Sequence, residues 1–342
     1  MRVTPHSSSS HLLVLFLVCA WLPASVSSTF PCIPSTYSLR MAATEYAKHG
    51  SSSKAAAHFG PIEHWCFQDI TDFSFLFSAA RGLEMSSFNE DISRWNVSGA
   101  TTMTGMFTSA RAFNRDLSAW DVSSVRNMRG MFSAATSFSG NVSTWDVSNV
   151  VVMQELFSGA ESFNSDISRW NVSNVVNMGG MLNSASLFNG SVSEWDVSNV
   201  NNMDYMFFNA LSFNQDISRW NTSNVKSMWS TFSCSHAARD AFMFNQDLSS
   251  WDVSHVTDMS AAFYGATSFK QDLSRWNVSS VSRCSSMFCG ATSFDKDLCA
   301  WGTKMQPSAI VSDMFQGSAC PVGRDPNLKS SPPGPFCHTC VL

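Results

Sequence analysis

The sequence predicts an α/β solenoid of about ten 25-residue strand–turn–helix units stacked on one parallel sheet, with disulfide-stapled ends. Three observations carry that expectation. Trp95, Trp120, Trp145, Trp170, Trp195 and Trp220 stand 25 residues apart, and Trp251, Trp276 and Trp301 resume the step. The stretch FNQDISRWN at 213–221 recurs as FNEDISRWN from Phe88, FNSDISRWN from Phe163 and FKQDLSRWN from Phe269. Cysteines gather toward the ends, at Cys32 and Cys66 and again at Cys284, Cys289, Cys299, Cys320, Cys337 and Cys340.

Residues 1–28 have the layout of a secretory signal peptide: Arg2, a Ser-rich run, an apolar stretch from Leu12 to Leu22, then small residues up to Ser28. That stretch is about half the ~20 residues a membrane span needs, and no later segment reaches the length. Cys19 follows Val18 without the small residue of a lipobox, and the terminal CHTCVL lacks the cysteine position of a prenylation signal. A secreted or surface-displayed chain without a lipid anchor is therefore expected. In an oxidising secretory route the clustered cysteines read as disulfides, with Cys234 left over.

Residues 29–61 are an N-terminal cap, 62–319 the repeat array and 320–342 a Pro/Cys-rich tail. Trp65 extends the series backward across an insertion near 81–85, and a second insertion, within 233–241, lengthens the step from Trp220 to Trp251. In the unit FNRDLSAWDVSSVRNMRGMFSAA, Leu117, Trp120 and Val122 alternate against Ala119, Asp121 and Ser123 as a short half-buried strand does. Val125, Met128, Met131, Phe132 and Ala135 follow at i, i+3, i+6, i+7 and i+10, one face of a helix, with Ser123 or Ser124 in the N-cap place. A unit this size cannot bury its apolar face alone, so its stability must come from stacking on its neighbours.

The unit F-N-x-D-[I/L]-S-x-W-[D/N]-V-S-x-V-x-x-M-x-x-M-F resembles the 25-to-26-residue repeat of bacterial surface proteins, known from Mycoplasma surface lipoproteins and grouped with BspA-like leucine-rich repeats. The resemblance covers about 62–319. It implies a right-handed, leucine-rich-repeat-like stack, a surface or secreted location and, in some members, adhesion to host or matrix proteins. No activity is assigned to the repeat itself.

Composition narrows the function. The net charge is -5 with 14% charged residues and no Lys/Arg run, which excludes the footprint of a phosphate-backbone binder. No nucleophile elbow or phosphate loop occurs, so no catalytic residue and no cofactor is assigned. A catalytic group hidden in the 233–241 insertion, with Cys234, His236, Arg239 and Asp240, is the remote alternative. Cys337-x-x-Cys340 has no second pair for zinc. The Asp ladder (Asp91, Asp116, Asp166, Asp216, Asp247, Asp272, Asp297) offers one carboxylate per layer, too few oxygens for calcium, and reads as turn caps. The Asn89, Asn114, Asn164, Asn189, Asn214 and Asn245 column reads as a hydrogen-bonded ladder.

The expected ligand face is the row flanking each Trp: Arg94, Asn96, Asp121, Asp146, Arg169, Asn171, Arg219, Asn221, Asp252, Arg275 and Asn277, in which Arg and Asp never share a unit. The Trp column itself shares the inward side with Leu117 and Val122 and belongs to the core, each indole N–H then needing an acceptor. Trp229 stands outside that phase, exposed on its helix. Sequons at Asn96, Asn141, Asn171, Asn189, Asn221 and Asn277 mark possible glycans and suggest a eukaryotic source. The reading is a non-enzymatic binding or adhesion scaffold for a protein or glycan partner. A structural wall or matrix component without a specific ligand is the alternative.

Overall fold

The computed structural model describes residues 30–235 and 242–341. The expected signal segment, most of the second insertion and Leu342 lie outside them. Helix α1 (Thr36–His49), capped at Ser35, and helix α2 (Lys54–Phe59), capped at Ser53, form the N-terminal cap. Beyond them the described chain holds no α-helix and no named strand. It winds instead through ten layers joined by single parallel bridges in one line, from Asp72↔Thr102 and Thr102↔Asn127 on to Asp258↔Arg283 and Arg283↔Ile310.

The α/β solenoid with a parallel sheet is thus overturned, strand and helix halves alike. The strand reading fails at two side chains. Asp116 and Asp121 each accept, through Oδ1, the amide two residues on, from Ser118 at 2.8 Å and Ser123 at 3.0 Å. Both close turns that a strand cannot contain. Ser123 is accordingly no helix cap, because it donates into this turn. Between them the backbone folds again by i→i+3 bonds, Trp120 to Leu117 and Val125 to Val122.

The helix reading fails at the backbone. Gly130 and Ala134 lie at φ +58° and +55°, in the left-handed region, and pairs spaced alike recur at Gly105 and Ser109, Glu155 and Gly159, Gly180 and Ser184, and Tyr205 and Asn209. Met128, Gly130, Phe132 and Ala134 donate not to the fourth residue back but to Val152, Gln154, Leu156 and Ser158 of the next layer, at 3.0, 2.8, 2.9 and 2.6 Å. The peptide carbonyls just before them, at Asn127, Arg129, Met131 and Ser133, accept from Met103, Gly105, Phe107 and Ser109 of the layer before. Four peptide planes per layer therefore stand along the stacking axis.

Three-residue turns also explain the misleading pattern. Met131 closes on Met128, Ala135 on Phe132 and Phe138 on Ala135, so one side chain per turn points inward. Val125, Met128, Met131, Phe132, Ala135 and Phe138 are all fully buried. A spacing near three mimics one face of a helix whose own period is 3.6.

The core is three aromatic columns. Trp145 and Trp170 stack at 6.2 Å and 5°, Phe107 and Phe132 at 5.3 Å and 3°, Phe113 and Phe138 at 6.0 Å and 9°. The Trp column is buried as expected, and its N–H groups have a uniform answer. Trp120 Nε1 donates to the Ile92 carbonyl, Trp145 to Leu117, Trp170 to Val142 and Trp220 to Val192, at 2.9–3.1 Å, each reaching the layer before.

Disulfides staple both ends: Cys32–Cys66 joins cap to array, while Cys299–Cys340 and Cys320–Cys337 hold the tail. Cys234 lies outside these bonds, as expected. Cys284 and Cys289 do too, which corrects their assignment. Cys284 occupies the slot of Met128 and Met259 in the core, where burial pushes its thiol up, far from the reactive thiolate. Cys289 sits five residues on at the surface, its Sγ 3.8 Å from Gln316 Oε1.

Two substitutions test this architecture. Gly130→Ala should lower stability by about 1–2 kcal/mol in urea denaturation because of the left-handed φ; in the helix that the spacing suggests it would raise stability by about 1 kcal/mol. Trp145→Ala should cost about 3–5 kcal/mol, removing the ring and leaving the Leu117 carbonyl without its donor.

Candidate functional site

Each layer carries two side-chain-capped turns around its Trp. The first is closed by the Asp ladder, Asp91, Asp166, Asp216, Asp247, Asp272 and Asp297 each accepting from the amide two residues on, with Asn141 doing the same where Asp is replaced. The second is closed by the residue after Trp: Asn96, Asp121, Asp146, Asn171, Asn221, Asp252 and Asn277 each accept from the Ser two positions later. Both carboxylate and amide serve, since each presents an acceptor oxygen at the same reach.

All eleven candidate face residues are exposed along one side of the stack. The structure brings some of them together. Asp146 and, from the next layer, Arg169 and Asn171 line one depression of about 560 Å³ with Thr144, Asp166 and the edge of Trp145. Arg94 and Asn96 line another of about 310 Å³ with Glu63 and His64. Asp121, Arg219, Asn221, Asp252, Arg275 and Asn277 continue the same row layer by layer. The Asp and Arg of the Trp-flanking row, which never share a unit, therefore line one depression across the boundary between units.

The Asn column ties layers together, Asn89 Oδ1 accepting from the Asn114 amide, Asn164 from Asn189, Asn189 from Asn214 and Asn214 from Asn245, at 2.9–3.1 Å. A second column that spacing did not single out does the same: Asn149, Asn174, Asn199 and Asn224 donate through Nδ2 to Ser carbonyls of the preceding layer at 2.7–2.8 Å. The sequon side chains are exposed. In Asn96 and Asn171 it is Oδ1 that the turn uses, accepting both the amide and the hydroxyl of Ser98 or Ser173. The amide nitrogen, where a glycan would attach, takes no part in the turn.

Trp229 is 44% exposed, on a turn rather than the expected helix. Beside it lies a feature that sequence reasoning missed, a cleft over Gly179 and Gly180. Its only sequence signal is that this layer alone carries two glycines where its neighbours carry Gln154-Glu155 and Asp204-Tyr205. Of the insertion, Ser233 and Cys234 are buried, while His236, Arg239 and Asp240 lie outside the described residues. Among the described residues no three His, Cys, Asp or Glu side chains gather as a metal site would need, and no helix is long and apolar enough to cross a membrane.

A family model described as "Mycoplasma protein of unknown function, DUF285" matches residues 48–165, 137–243 and 234–321, most of the chain. Comparison with curated proteins finds no match.

Several face carboxylates are held below the usual range, Asp121, Asp196 and Asp252 by the hydroxyl and then the amide of Ser123, Ser198 and Ser254. A depressed folded pKa contributes stability that is present above the unfolded value, near ~3.9, and is lost as pH falls through the folded value. Replacing Asp121, Asp196 and Asp252 together by Asn should keep the turns, as Asn96 and Asn171 do natively, and move the acid-unfolding midpoint read by Trp fluorescence to lower pH. An unchanged midpoint would assign acid unfolding to other carboxylates.

Proposed function

The chain belongs to the family described as Mycoplasma protein of unknown function, DUF285, and we propose that it works as a secreted or surface-displayed binding scaffold. Its task in this reading is non-covalent adhesion to a protein or glycan, without catalysis. The observation that supports it most is the continuous row of exposed, turn-capped polar side chains running the length of the array, grooved where Asp146 meets Arg169 and Asn171. The Asn and Asp of the row are each held by a hydrogen bond of their own turn, so these side chains lose little freedom when a partner docks. The likeness to BspA-like surface repeats favours adhesion as the form the binding takes, and the N-terminal 28 residues with the disulfide-stapled ends favour a secretory route.

The reading is tested with secreted protein immobilised as a coating and probed with cells and with a glycan array. Arg169→Ala combined with Arg219→Ala should lower binding by about tenfold or more if the row is the contact surface, since exposed hot spots are commonly Arg. Absence of any binding would favour a structural wall or matrix component.

A further inference from the structure

The cleft at Gly179–Gly180 is on a different face from the capped turns, among the left-handed positions of the array. In these two columns successive layers present Arg129-Gly130, Gln154-Glu155, Gly179-Gly180, Asp204-Tyr205 and Trp229-Ser230. The doubly glycine layer lacks both side chains and so opens a gap one layer wide. With layers ~4.8 Å apart, the flanking pairs stand roughly 10 Å from one another. The gap is a cavity of about 260 Å³ lined by Gln154, Glu155, Asn183, Asn202, Asp204, Tyr205 and Trp229 over the glycine floor. A Cβ on Gly179 would come within 3.0 Å of Asn202 Oδ1, and one on Gly180 within 3.3 Å of Glu155 Cγ, so side chains here would crowd the walls.

The walls are built from two aromatic rings and two carboxylates. Tyr205 and Trp229 meet edge to face at 4.7 Å and 60°, leaving the indole 44% exposed. Asp204 Oδ1 accepts the Trp229 amide at 2.9 Å and the Ser227 hydroxyl, bonds that fix the carboxylate through one oxygen. Glu155 Oε1 accepts from Gln154 Nε2 at 3.2 Å and forms a long, exposed ion pair with Arg129 at 4.0 Å, which solvent screens and a guanidinium in the cleft can share. The amide oxygens are already engaged: Asn202 Oδ1 accepts from Asp204, Asn183 Oδ1 from Ser184. The charged groups on offer are the Glu155 and Asp204 carboxylates, beside aromatic faces and the Nδ2 groups of Asn183 and Asn202.

An acceptor-rich, aromatic, negatively charged cleft selects an occupant made of donors with a positive, flat, weakly hydrated surface. We propose that this cleft receives the guanidinium of an arginine side chain on a partner protein, paired with Glu155 and Asp204 and lying against Trp229. Guanidinium suits it better than ammonium because it can bond a carboxylate in its plane while stacking on an indole. The proposal deepens the binding reading above and rests on it for biological meaning, but its test does not depend on finding the partner.

The full chain, labelled with 15N, is titrated with N-acetyl-arginine amide and with its neutral isostere N-acetyl-citrulline amide. The indole N–H resonance of Trp229, identified by its loss in Trp229→Phe, is the readout. The expected result is a saturable shift with the arginine compound and about tenfold weaker binding of citrulline, with Glu155→Gln plus Asp204→Asn reducing the arginine affinity by about tenfold as well. Asp204→Asn keeps an oxygen for the Trp229 amide and the Ser227 hydroxyl, and the wild-type comparison of the two probes stands even if the double variant misfolds. Equal binding of citrulline overturns the proposal, as does no saturable shift. A shift produced by monosaccharides and not by arginine overturns it in favour of a sugar site. None of these outcomes bears on the Arg169/Arg219 test, so the two readings fail separately.

Discussion

A closed layer of three-residue turns can bond only part of its own backbone, and every remaining peptide must be met by the layer before or after it. That requirement governs the rest of the molecule. It forces successive layers into register, because an N–H such as Gly130 must find the carbonyl of Gln154, and the next, Phe132, that of Leu156. Register in turn places identical side chains above one another, which is why Trp stacks on Trp and Phe on Phe. The aromatic columns hold the largest buried side chains, with Val, Met and Ala filling between them. The indole N–H groups then reach back one layer to carbonyls at the Leu117 and Val142 positions, so the largest buried ring is also a tie between layers.

The same register organises the surface. A face built from turns differs from a sheet face in that each exposed Asp or Asn is half committed to its own backbone. Asp121 or Asn171 keeps one oxygen in the turn while the rest of the group meets solvent. Mutation along this row changes chemistry without changing shape, which suits a scaffold whose repeats vary in charge from layer to layer. The depression at Asp146, Arg169 and Asn171 lies where an Asp layer adjoins an Arg layer, so that variation sets the chemistry of its walls.

Sequence reasoning located the period, the ten layers, the inward Trp, Phe, Val and Met positions, the Asp turn caps, the Asn ladder, the exposure of Trp229 and the stapled ends. It did so because burial and side-chain capping leave a residue-type signature in every unit. The secondary structure was not legible, for two reasons. Inward side chains at Val125, Met128 and Met131 recur every three residues and are close enough to a helical stripe to pass for one. Left-handed backbone is announced by Gly130 and Gly180 but hidden where Ala134, Glu155 or Tyr205 takes the same conformation. Cys284 was misplaced because a thiol in a methionine slot looks, in sequence, like any other cysteine. The Gly179–Gly180 cleft escaped notice because it is defined by absent side chains, visible only once their neighbours in space are known.

The upright peptide planes have an electrical consequence. In each layer four amides donate forward to the next layer, while one or two others, such as Arg126 to Thr101 and Ser137 to Arg111, donate back, so the forward set is only partly offset. Each unit carries a dipole of about 3.5 D, and aligned units add as they do along a helix. The array is therefore a polarised rod, negative at its first layer and positive at its last. The ends bond accordingly: the Arg40 guanidinium of α1, itself paired with Asp72 at 2.9 Å, donates to the outward carbonyl of Ser74 at 3.1 Å, while the Asp325 carboxylate accepts from the Met314 amide in the final layer at 3.0 Å. A donor meets the open carbonyls at one terminus and an acceptor meets the open amides at the other, so the two ends of the stack ask for opposite chemistry in whatever covers them.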